Sequence, residues 1–235
     1  MRTKIIQNEP ESAVPVRSSE VASGSERNET RLRRAFFATA VVGYIVLGAV
    51  HPLELKVGDD STLYLWIHLV QPFFVLLLAW GFWLLVKDVP GRAAQIARIA
   101  IVPYAIVYSM LDAIAGVATA MIVGQANGMN AADAEVVRRA VEIDPDYVGM
   151  VIWIASGLTW FAMALGGAIA VKRFGGLGPT LLMAVGAAIF AVGHPFPPGP
   201  IGIALFGLGI AWLEVRRARE PAAAAAPETQ PVLVP

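Results

Sequence analysis

Apolar residues fall in six runs of about 17 to 25 residues, near 35–51, 62–86, 99–123, 147–171, 178–194 and 197–213. The short stretches between them hold most of the charge. A hydrocarbon core about 30 Å thick is crossed by about 20 helical residues, and a soluble helix of that length would carry a polar face. The pattern therefore predicts an all-α protein, a polytopic bundle of six transmembrane spans over residues 35–215. Residues 1–34 are polar and lack apolar periodicity, so they read as a disordered cytoplasmic tail. Residues 216–235 run into Ala/Pro low-complexity sequence and read the same way.

Basic residues near the span ends give the orientation. The N-terminal tail carries Arg31, Arg33 and Arg34. The loop after the second span carries Lys87, Arg92 and Arg98, the loop after the fourth carries Lys172 and Arg173, and the C-terminal flank carries Arg216, Arg217 and Arg219. With six spans all four segments share one face, and the other face receives only Lys56, Arg138 and Arg139 beside eight acids. Both termini are thus expected on the cytoplasmic side. On the outer side, Asn130 with Asp133 three residues later predicts a capped amphipathic helix over 130–142. Asp144, Pro145 and Asp146 would start the fourth span as cap and first turn.

Composition narrows the function classes. Of 235 residues, 57% are hydrophobic and 15% charged, with zero net charge, so nucleic acid is not an expected partner. The absence of cysteine excludes disulfides, thiolate metal sites, iron–sulfur clusters and cysteine nucleophiles. The Arg- and Ala-rich composition is that of a high-GC bacterium, so the expected location is a bacterial cytoplasmic (inner) membrane. The expected partner is the lipid bilayer, with a small-molecule or ion ligand. A homo-oligomer is compatible with the sequence, which leaves the oligomeric state open.

The chemistry concentrates in four residues: His51, His68 and His194, the only histidines, and Asp112, the only acid well inside an apolar run. An ionised carboxylate near the bilayer centre costs at least about 2.5 kcal/mol on insertion scales, so Asp112 must face the bundle interior, stay protonated or find a partner. At about 1.5 Å per residue, His51 and His194 lie at the outer boundary, His68 about 9 Å below it and Asp112 about 12–16 Å below it. Polar company shares their helix faces: Tyr104 and Tyr108 with Asp112, Tyr64 and Gln71 with His68, Tyr44 with His51. These stripes predict an outward-opening polar pocket. Each residue also has a structural reading. His51 and His194, both followed by proline, could cap helix ends, and His68 with Gln71 could be interhelical hydrogen bonding. Gly116 and Ala120 read as helix packing.

Three chemistries fit. Three imidazoles suit Zn²⁺ or non-haem Fe. His51, His68 and His194 would be the metal ligands, and Asp112 a catalytic base or second-shell partner, since its depth differs too much from that of His51 for both to touch one ion. His51 and His194 at matching depth suit haem b. Asp112 with Tyr108 and His68 suits a proton-coupled carrier.

Three His and one Asp in a helical bundle resemble, by residue type, the ceramidase and adiponectin-receptor superfamily, which implies zinc hydrolysis. The paired histidines of that family's last span are absent here, and Tyr64 stands where its serine precedes the histidine of the second span. The segments 50-VHP-52, 108-YSMLDAIAGVATA-120 and 193-GHPFPPGPIG-202 resemble small six-span membrane proteins of high-GC bacteria. That resemblance covers most of residues 35–215 and implies the six-span frame without an activity.

Overall fold

The computed structural model describes residues 17–143, 147–193 and 197–224. All elements in them are helical: α1 (Arg17–Val50), α2 (Thr62–Val86), α3 (Arg92–Leu111), α4 (Thr119–Ala126), α5 (Ala131–Arg138), α6 (Tyr147–Gly175), α7 (Leu177–Val192) and α8 (Pro198–Ala224). A π-helical turn over Asp112–Ala118 joins α3 to α4, making one helix from Arg92 to Ala126.

Five helices are long and apolar enough to cross a membrane: Gly24–Val50, Thr62–Val86, Arg92–Ala126, Met150–Gly175 and Pro198–Arg219. The expected fifth run forms α7, which is apolar but has 16 residues, about 24 Å at 1.5 Å per residue. Gly176, at φ +74°, breaks the chain before it. The outer surface of the bundle is apolar, as a lipid-facing surface is: Val42, Phe73, Leu76, Ile99, Leu158 and Leu208 are 57–66% exposed.

Helix covers more of the flanks than the sequence pattern predicts. α1 begins at Arg17 and α8 runs to Ala224, so parts of both stretches read as disordered tails are helical. Ion pairs account for some of this extension. Arg33 Nε and Arg34 Nε hold the buried Glu214 carboxylate at 2.8 and 2.9 Å, and Lys87 Nζ meets Glu29 at 2.6 Å. Glu214 is 6% exposed, and removing one partner of a buried ion pair leaves the other charge uncompensated. Because Arg34 is half-exposed, Glu214→Ala is expected to cost about 2–3 kcal/mol, below the 3–5 of a fully buried pair; a thermal melt in detergent measures it.

Neighbouring helices run antiparallel. Phe37 of α1 meets Phe82 late in α2 (ring centroids 5.4 Å apart) while His51, just after α1, meets Tyr64 early in α2 (5.1 Å). A Cβ on Gly202 would sit 2.5 Å from Phe190 N and one on Gly209 2.9 Å from Met183 N, so α7 and α8 touch backbone to backbone. The core is aromatic at its middle: Trp160 packs against Phe82, Tyr104, Phe190 and Phe206, and its indole N–H donates to Ala187 O at 2.9 Å. Arg98 donates to the carbonyls of Val86, Lys87 and Val89, which satisfies the C-terminal turn of α2.

The bundle thus has an arginine end, where Arg33, Arg34 and Glu214 lie, and a histidine end. At the histidine end α5 forms as predicted: Asn130 Oδ1 accepts from Ala132 N and Asp133 N at 3.0 and 3.1 Å. Hydrogen bonds from Arg138 and Arg139 hold the Glu135 carboxyl down to about 2. The predicted cap at 144–146 lies outside the described residues.

Candidate functional site

His51, His68 and Asp112 meet at the histidine end. His51 follows the last residue of α1, His68 stands on the second turn of α2, and Asp112 opens the π turn. All three are buried, at 8%, 6% and 1% exposure. His51 Nε2 lies 3.1 Å from His68 Nε2, and His68 Nδ1 lies 3.0 Å from Asp112 Oδ1. The depth difference between His51 and Asp112 inferred from helical rise is therefore spanned by the imidazole of His68, with each ring nitrogen on one neighbour.

Gly116 makes this possible. A Cβ there would fall 2.1 Å from Cγ of His68, so the ring lies directly on the glycine backbone. Gly116 packs helix on helix as its sequence reading has it, and the side chain of α2 that it seats is His68. Asp112 and Gly116 sit within the π turn, and its wider hydrogen-bond register leaves carbonyls open to other donors. Tyr64 Oη donates to Ala115 O at 3.4 Å. The Tyr64 ring rests against both His51 and His68, with centroids 5.1 and 4.5 Å away.

Beyond Tyr64 a cavity of about 610 Å³ opens, lined among others by Glu54, Lys56, Tyr64, Ala115, Thr119 and Glu142. Its rim is stapled: Val57 N donates to Glu142 Oε1 at 2.9 Å, and Gly58 N to Asn127 Oδ1 at 2.7 Å. Gly58 can take its φ of +107° only because it lacks a Cβ. Tyr64 thus stands between this vestibule and the histidine pair.

Towards the bundle middle the polar column continues through Gln71, buried one turn on from His68, to Tyr44 and Tyr104, whose hydroxyls lie 3.3 Å apart. Tyr108 packs edge-on to both rings. Below them the column stops. Among the described residues the other buried polar side chains are Ser156 and Thr180, each bonded to a carbonyl of its own helix or cap, and Glu214 at the arginine end. The aromatic core around Trp160 and Phe82 fills the gap.

Donor and acceptor arithmetic gives the site its chemistry. His51 Nδ1 lies 2.6 Å from the Pro52 carbonyl. A carbonyl only accepts, so that nitrogen carries hydrogen. If His51 is neutral, its Nε2 is a lone pair, and His68 Nε2 must donate. His68 does so either as a neutral ring whose Nδ1 accepts from a protonated Asp112, or as an imidazolium facing a carboxylate. A third distribution puts the extra proton on His51, which then donates to His68. All three hold the same number of protons and zero net charge. Removing one proton leaves either two nitrogen lone pairs facing each other at 3.1 Å or the His68 Nδ1 lone pair facing the Asp112 carboxylate at 3.0 Å, and both contacts are repulsive. The row thus has the geometry to share one proton: two short transfers would carry it between His51 and Asp112.

Two buried polar atoms, Asp112 Oδ2 and Gln71 Nε2, have no hydrogen-bond partner among the described residues. Such orphans cost about 1–3 kcal/mol each unless something fills them, and they lie on the same buried column. No protein-family model, curated protein or solved structure matches the chain.

The metal set predicted from sequence divides. His51 and His68 are together. His194 lies outside the described residues, and among those described no group of three His, Asp or Glu could hold an ion. The haem reading paired His51 with His194 and so also rests on a residue outside them. Between His51 and His68, with ring centroids 5.1 Å apart, no porphyrin fits. The sequence missed the placing of Tyr64 as the wall shared by vestibule and site; its i, i+4 spacing to His68 was the available signal.

Proposed function

We propose that this chain is a six-span membrane protein of a bacterial inner membrane, termini inside, whose His51–His68–Asp112 row is an outward-facing proton site serving proton-coupled transport. The observation that carries the reading is the unbroken row of two hydrogen bonds ending on a buried acid. The basic loops support the orientation, since they all fall at the arginine end if α7 counts as the fifth of six spans. At 16 residues α7 suits a locally thin bilayer or a packed interior position. The vestibule reaches towards the column as far as Tyr64, while aromatic side chains fill the bundle on the inward side, an asymmetry that suits an outward-facing state of a carrier. Asp112 Oδ2 and Gln71 Nε2 supply one acceptor and one donor for a polar small molecule or cation that exchanges with the proton.

Infrared difference spectroscopy between acid and alkaline buffer, on protein in liposomes, tests the proton site without knowledge of the cargo. One buried carboxyl band and imidazole bands are expected to change together, and both signals are expected to vanish in His68→Ala. A carboxyl band that survives His68→Ala unaltered would sink the shared-proton reading.

One observation favours a second reading. Two Nε2 atoms 3.1 Å apart, each with its Nδ1 turned to an acceptor, also match two imidazoles on one ion with bonds of about 2.0–2.1 Å and outer partners orienting the rings. Elemental analysis of the purified protein beside a His51/His68/His194→Ala variant separates the two. Near-stoichiometric zinc or iron lost in the variant assigns the site to metal; metal-free protein leaves it to the proton.

A further inference from the structure

At the arginine end, away from the histidine row, a groove of about 570 Å³ runs between α1 and α8 on the outside of the bundle. Ala38, Val42, Ala211 and Val215 form much of its wall, and Arg34 and Arg219 stand at its mouth. We infer that this groove binds one anionic glycerophospholipid, an acyl chain between the helices and the phosphate on Arg34 and Arg219.

Three features choose this occupant. The first is charge. Arg34 and Arg219 line the groove with a single acid, Glu214, whose carboxylate Arg33 also pairs, so these three arginines exceed that acid by two positive charges. Arg219 enters no ion pair among the described residues. Arg34 gives Nε to Glu214 Oε2 but stays half-exposed, so its outer edge faces the mouth. Basic pockets between spans at the cytoplasmic face hold anionic headgroups in this way.

The second is length. From Arg219 the groove runs along α8 to Gly207, about 18 Å at 1.5 Å per residue. That is close to half of a hydrocarbon core of about 30 Å, the reach of a chain in one leaflet. A partner helix would continue through the second leaflet, but the groove ends where Gly207 meets Val41: a Cβ on that glycine would lie 2.6 Å from Val41 Cγ1. The third is chemistry: beneath the arginines the one polar side chain of the lining is Glu214, already paired with Arg33 and Arg34, and the rest of the wall is apolar.

The test uses the full chain in nanodiscs of equal phosphatidylglycerol and phosphatidylcholine, with bound lipid counted by native mass spectrometry after mild extraction. One phosphatidylglycerol per protein is expected, at least about ten-fold over phosphatidylcholine. Arg219→Gln should lower its retention by roughly five- to ten-fold, as loss of one basic residue near a charged surface implies. Ala211→Phe, on the exposed face of α8, should fill the groove and abolish retention with every arginine in place. Equal retention of both lipids, or retention indifferent to both substitutions, overturns the site. So does a dimer that holds no lipid and dissociates in Ala211→Phe, which makes the groove a contact between two copies.

Discussion

Gly116→Ala is expected to fold and to lose the proton site with every ionisable residue still present. The added methyl would fall 2.1 Å from His68 Cγ and 2.5 Å from its Nδ1. Nothing at that distance is tolerated, and a methyl 2.5 Å from His68 Cβ is not relieved by turning the ring, so His68 must leave its seat together with the turn of α2 that carries it. His68 joins both hydrogen bonds of the row, and one displacement breaks both. Overpacking typically costs about 1–3 kcal/mol, and alanine returns up to about 1 kcal/mol of helical preference over glycine. Stability should therefore fall by about 0–3 kcal/mol. The coupled carboxyl and imidazole bands should disappear entirely. A variant that keeps these bands would show that His68 does not depend on this seat.

Asp112→Asn should give the opposite profile, an almost unchanged fold with no mobile proton. The amide has the shape of the acid. Its N–H donates to His68 Nδ1, His68 Nε2–H donates to His51 Nε2, and His51 Nδ1–H keeps Pro52 O. Every hydrogen bond of the row survives, but each proton is now tied to its own nitrogen. A pH jump on the purified protein should show one proton fewer bound than in the native chain. Proton-coupled uptake should fall by about 10²-fold or more, the scale of removing a positioned proton donor. Asp112→Ala makes a useful contrast, because it leaves His68 Nδ1 without its carboxyl partner at a cost of about 1–3 kcal/mol. If Asp112→Asn releases and takes up protons as the native chain does, the mobile proton lies elsewhere.

The two variants separate position from charge. Gly116 carries no proton and touches no ligand, so its effect runs through the place of His68 alone. Asp112→Asn leaves His68 in place and removes the group that ends the row. Agreement between them ties the proton to this one geometry.

Much of this was legible along the chain because burial in lipid leaves a one-dimensional record. The long apolar helices, the loop positions and the Asn130 cap follow from local rules of length, backbone satisfaction and capping. The choice of His51, His68, His194 and Asp112 followed from the high cost of ionisable groups in hydrocarbon, and three of these four lie among the described residues. The spacing rules also placed Tyr104, Tyr108 and Asp112 on one stripe, and all three are buried. Helical rise gave depths that kept His51 and Asp112 apart, and so pointed to an ion held by histidines rather than to a row.

The tertiary structure decided how those residues meet. Depth along a helix says nothing of rotation about its axis or of which helix stands beside it, and only packing sets both. It put Gly116 beneath the His68 ring of α2, brought His68 between two partners, and placed Tyr64 between the vestibule and the histidine pair. It also paired Glu214 with Arg33 and Arg34, about 180 residues away, which no local pattern encodes. Sequence by itself determined that the chain is helical and apolar enough to enter a membrane, and which groups are costly there. Contacts between residues distant in the chain determined what those groups do together, because a hydrogen bond depends on a few tenths of an ångström that only the packed bundle supplies.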